Sequence, residues 1–75
     1  MAEIIRRHAM DDFCALMTAE GMEAAGCYVF SITYVSDAHP MRRWIVWGRF
    51  HPTEATIEEI DKSIARRVFP TSEGD

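Results

Sequence analysis

Residues 27–50 read CYVFSITYVS, DAHPMR and RWIVWGRF in succession, and this stretch decides the fold. Two runs dense in β-branched and aromatic residues, Cys27 to Ser36 and Arg43 to Phe50, flank a connection that holds the turn formers Asp37 and Pro40. The first residue types fit a pleated, half-buried surface and the second fit turns, so the stretch predicts an antiparallel hairpin with a medium-length loop. A symmetric register through such a loop pairs Tyr34 with Trp44, Ile32 with Val46, Phe30 with Gly48 and Tyr28 with Phe50 on one face. All but Gly48 are large and apolar, and an aromatic opposite a strand glycine shields it, so this face is the expected core side. The other face pairs Val35 with Arg43, Thr33 with Ile45, Ser31 with Trp47 and Val29 with Arg49.

Outward from the hairpin, the C-terminal segment is the clearest helix. Ile57, Ile60, Ile64, Ala65 and Val68 recur at helical spacing as one apolar stripe. Thr56 followed by Glu59 forms a capping box, Glu58 pairs with Lys62 one turn on, and late Arg66 and Arg67 complement the helix dipole. The helix is expected from residue 54 or 57 to Phe69, with Pro70 as its stop and residues 71–75 as a flexible tail. A second helix spans residues 11–25, opened by Asp11 or Asp12 and closed by Gly26, with Phe13, Leu16 and Met17 turned inward. Residues 3–8 fit a short edge strand better than an extension of that helix. The expected architecture is a single α+β domain over residues 1–70 in the order (β)αββα, its two- or three-stranded antiparallel sheet covered by two helices on one side.

Length and composition narrow the function classes. A chain of 75 residues buries about 60% of the surface its unfolded form exposes, which leaves a thin stability margin that a dimer partner would help. Two cysteines without a C-x-x-C pair fit a reducing compartment, and neither a signal-peptide pattern nor a long apolar run appears, so the expected location is the cytoplasm. The net charge of −4 is unevenly spread: residues 1–26 and 51–75 each carry −3, while residues 27–50 carry +2. An acidic body therefore holds a basic hairpin.

Catalytic and metal-binding patterns are not found. His8, His39 and His51 stand at no metal-ligand spacing with each other or with Cys14 and Cys27, so neither a metal nor another cofactor is expected. The neighbouring acids Asp11–Asp12 and Glu58–Glu59 diverge by about 100° on a helix and read as helix-start charges rather than catalytic dyads. The four glycines are scattered and form no phosphate-binding loop. These observations point away from an enzyme and toward a binding domain.

The expected partner surface is the basic end and non-core face of the hairpin, Arg42, Arg43, Ile45, Trp47 and Arg49. Trp and Arg dominate interface hot spots, and this face has no obvious internal cover. A protein partner, with a symmetric homodimer as its simplest form, is the leading expectation. A nucleic acid read by the basic-aromatic hairpin is the alternative, and the acidic helices count against it. In size, acidity and absence of motifs the chain is similar to the small inhibitors of phages and mobile elements, such as anti-CRISPR proteins. That resemblance implies occlusion of nucleic-acid machinery or mimicry of its charge, for which Glu54, Glu58, Glu59 and Asp61, or Asp11, Asp12, Glu20 and Glu23, are the available acids.

Overall fold

In the computed structural model, which describes residues 1–69, the chain forms β1 (Glu3–Ala9), α1 (Asp12–Ala24), β2 (Tyr28–Tyr34), β3 (Trp44–Phe50) and α2 (Ile57–Val68). The expected helix stop at Pro70 and tail at 71–75 lie outside the described residues. A single 3-10 turn, Pro40–Arg42, sits in the β2–β3 connection and is opened by His39, whose Nδ1 accepts from Met41 N.

The N-terminal segment is a strand, as expected, and it determines the shape of the sheet. It pairs antiparallel with β3 along its whole length, from Glu3 opposite Phe50 to Ala9 opposite Trp44. The order is β1-β3-β2, so the hairpin's second strand is central and both neighbours are edges. Sequence order and pairing together match the first five elements of a split β-α-β sheet.

One face of this sheet is core. Ile5 and Ala9 of β1 and Val46 and Phe50 of β3 are buried there against Ala15, Ala19 and Met22 of α1 and Ile60 of α2. The Cα frame measures 37 × 36 × 14 Å, a two-layer plate. Both helices lie on one side of it.

The hairpin register holds near the loop and slips further along. Tyr34, Ile32, Thr33 and Ser31 face Trp44, Val46, Ile45 and Trp47 as expected, but a bulge between Val29 and Ser31 puts Val29 opposite Gly48 and Tyr28 opposite Arg49. The bulge arises where β3 meets α1. A Cβ at Gly48 would lie 2.5 Å from both Cys27 Sγ and Met22 Cε, so the space above Gly48 is already filled by those two side chains. No room remains for a Phe30 ring over Gly48. Tyr28 and Phe30 are accordingly 59% and 45% exposed rather than core. Ile32 and Tyr34 stay on the helix side but lie toward the open edge, where they remain exposed.

In α1 the inward face also differs from expectation. Phe13 and Leu16 are 65% and 52% exposed, and the buried positions are Ala15, Thr18, Ala19, Gly21 and Met22. Small residues win because α1 crosses α2 at very short range: a Cβ on Gly21 would lie 2.6 Å from Ile64 Cα. Ser63 Oγ exploits that approach by donating to Gly21 O at 2.6 Å in a buried hydrogen bond. The helix ends at Gly26, whose φ of +96° is a left-handed conformation that glycine adopts without strain.

The start of α2 follows its sequence signals. Thr56 Oγ1 accepts from Glu59 N and Glu59 Oε1 accepts from Thr56 N, both at 3.1 Å, which completes the capping box. Of the expected stripe, Ile60 is fully buried, Ile64 and Val68 are half-buried, and Ile57 and Ala65 are exposed. The stripe meets α1 rather than the sheet, so only its middle is sealed.

Candidate functional site

With both helices on one side, no other element among the described residues packs on the outer face of the sheet. The registers order its side chains into three rows across the strands: Ile4, Arg49 and Tyr28; Arg6, Trp47 and Ser31; His8, Ile45 and Thr33. Phe30, extruded by the bulge, joins the first row. Trp47 stands at the centre, in the middle row of the middle strand.

Side-chain contacts hold this face in order. The Trp47 indole N–H donates to Thr33 Oγ1 at 3.2 Å, which fixes the ring toward β2. The Arg6 guanidinium lies 5.8 Å from the Trp47 ring centroid, and that of Arg49 lies 5.5 Å from Tyr28 and 6.0 Å from Phe30. Each distance is within the reach of a cation–π attraction. Among the strand residues of this face there is no Asp or Glu.

Three of the residues singled out from sequence, Ile45, Trp47 and Arg49, therefore come together on one surface. Arg43 does not join them. It precedes β3, is partly buried and donates through Nε to Ala38 O, so it braces the β2–β3 connection. Arg42 is exposed in the 3-10 turn, beyond the end of the rows. Ile4, Arg6, His8, Tyr28 and Phe30 were absent from the sequence-based set. The period-two alternation of β1 placed Ile4, Arg6 and His8 on a common face, but only the pairing with β3 shows which face that is.

The acids considered as charge mimics are largely engaged within the fold. Asp61 receives Arg7 Nε at 2.7 Å and Nη2 at 2.9 Å, Glu58 lies 3.5 Å from Lys62 Nζ, and Glu59 is spent on the capping box. Glu20 accepts from Arg67 Nη1 at 3.0 Å, and Asp11 caps α1 by accepting from Cys14 N at 2.7 Å. Glu54, Asp12 and Glu23 are exposed. The guanidinium of Arg7 also donates to Arg6 O at 2.7 Å, which occupies a main-chain acceptor of an edge strand. The bulge disturbs the other edge strand, β2, and both features work against edge-to-edge pairing.

Among the described residues one concavity, of about 500 Å³, opens beside Glu54, Glu59, Lys62 and Arg66, and another, of about 320 Å³, opens beside Met10, Cys14, Met41 and Phe69. Burial, the Asp11 side-chain hydrogen bond and the Asp11 charge all push the thiol of Cys14, in the second, up. Burial likewise pushes the Cys27 thiol up, outweighing the hydrogen bond from Arg49 N that lowers it. Among the described residues no three His, Cys, Asp or Glu side chains converge as a metal site, and no helix is long and apolar enough to cross a membrane. Neither the protein-family models, nor the curated proteins, nor the solved structures give a match to this chain.

Proposed function

We propose that this domain is a non-catalytic binding module that lays the outer face of its sheet on an anionic surface of its partner. One observation carries the reading: a three-stranded face centred on Trp47 presents Arg6, Arg49, Tyr28 and Phe30 to solvent with no carboxylate among its strand residues. Rings beside cations supply both apolar area and charge, the combination that dominates binding hot spots. Steric occlusion of a partner, the mode of the small inhibitors the chain is similar to, needs no more than such a face.

The net charge of −4 misleads here. The plate is 14 Å through its thinnest dimension, while charges are screened over about 8 Å at physiological salt. A ligand on the outer face therefore senses the arginines far more than the exposed acids of the helix layer.

Chromatography on heparin at neutral pH tests the proposal. A protein of net charge −4 with evenly mixed charge flows through, whereas a segregated cationic face is retained and releases with salt. Arg49→Glu should abolish retention and Glu58→Lys should only strengthen it. Flow-through of the wild-type protein at low salt would refute the reading.

A further inference from the structure

The rows of the outer face contain a second pattern. Arg6 on β1 and Arg49 on β3 lie on a diagonal, one strand over and one row along. Trp47 on β3 and Tyr28 on β2 lie on a diagonal of the same direction and step, displaced by one strand. Diagonal neighbours of this kind are roughly 7–8 Å apart. A track of two cations thus runs beside a track of two rings, with Phe30 beside the second ring.

A single-stranded nucleic acid has the complementary construction, a line of phosphates beside a line of flat bases. Resting on the proposed function above, we infer that the anionic partner of the outer face is single-stranded nucleic acid, its phosphates along Arg6 and Arg49 and its bases stacked on Trp47 and Tyr28. An acidic protein surface would satisfy the arginines but has no reason to match a parallel line of rings. A duplex presents no free base faces, and a flat three-stranded sheet cannot enter its grooves as a helix or ribbon does.

The stacking surface is prepared in advance. The Trp47 indole is held by Thr33, so ordering of that ring upon binding costs little. Arg6, which lies over the same ring in the free protein, is exposed and has only to swing toward a phosphate for a base to take its place.

The test is fluorescence anisotropy with labelled oligo-dT and oligo-rU of equal length, which separates DNA from RNA, with labelled polyglutamate titrated separately and unlabelled duplex as competitor. Binding of a single strand is expected, with a log–log salt slope of about −1.4 for two neutralised phosphates. Trp47→Ala should weaken it about tenfold or more, and Trp47→Tyr should restore most of the loss because any ring stacks. Arg49→Glu, exposed and outside the core, carries the same expectation should Trp47→Ala fail to fold. Equal affinity for duplex, or an unchanged affinity in both Trp47→Ala and Arg49→Glu, would overturn the inference. If no oligonucleotide binds but polyglutamate does, and does so through Arg49, the nucleic-acid inference is overturned while the anionic-partner reading stands. If neither ligand binds, both fall.

Discussion

Gly21→Ala sets helix propensity against packing, and the structure states which wins. In an uncrowded helix interior this replacement stabilises by about 1 kcal/mol, because glycine loses more backbone freedom on folding. Here the new Cβ would stand 2.6 Å from Ile64 Cα, 2.9 Å from Ile64 N and 2.9 Å from Ser63 O. All three are main-chain atoms, so no rotamer change relieves the clash. The helices must separate by about 1 Å to regain the roughly 3.5 Å spacing at which carbon atoms pack. Overpacking of this kind costs about 1–3 kcal/mol. Separation also stretches the buried Ser63–Gly21 hydrogen bond, whose loss adds about 1 kcal/mol. Set against the propensity gain, the net destabilisation is about 1–3 kcal/mol. At about 4–8 °C per kcal/mol for a domain of this size, the Tm should fall by about 10 °C. Thermal melts followed by circular dichroism measure this directly, and the Gly21→Ala/Ser63→Ala double variant should lose less than the sum of the single losses, since both act on one contact. A Gly21→Ala protein that melts at or above the wild-type temperature would refute the close helix crossing.

Two further expectations follow from the described contacts. Thr56→Ala removes the cap of α2 and should cost about 1 kcal/mol, seen as a Tm lowered by about 4–8 °C, while Thr56→Ser should lose far less. Burial holds the Cys27 thiol above its ordinary value of 9.0, so the folded chain keeps a proton that the unfolded chain has lost. The resulting stability is complete below about pH 9 and declines as pH rises through the folded-state value. Wild-type Tm should therefore drop more between about pH 8 and about pH 10.5 than that of Cys27→Ala, and equal drops would contradict the buried thiol.

What the sequence determined by itself was local. The capping box at Thr56 and Glu59, the hairpin near its loop, the glycine end of α1 at Gly26 and the strand character of Ile4 and Ile5 all depend on neighbours a few residues apart, where spacing and propensity act without knowledge of the rest of the chain. Three of the five surface residues chosen from sequence, Ile45, Trp47 and Arg49, share one face because alternation along a strand is a local property too. Tertiary structure decided which residues those elements bury. Phe13 and Leu16 read as the inward face of α1 by size, yet the helices cross so closely that a Cβ on Gly21 would lie 2.6 Å from Ile64 Cα, and Phe13 and Leu16 are left exposed. Tyr28 and Phe30 read as core by alternation, yet Met22 and Cys27 fill the space above Gly48 and the bulge turns both rings outward. Arg6 and His8 joined the outer face only because β1 zips onto β3, a pairing of residues some forty positions apart that leaves no trace in either strand alone. Occupied volume and long-range pairing, which no window of sequence records, turned a single strand tryptophan into a surface of three rings and two arginines.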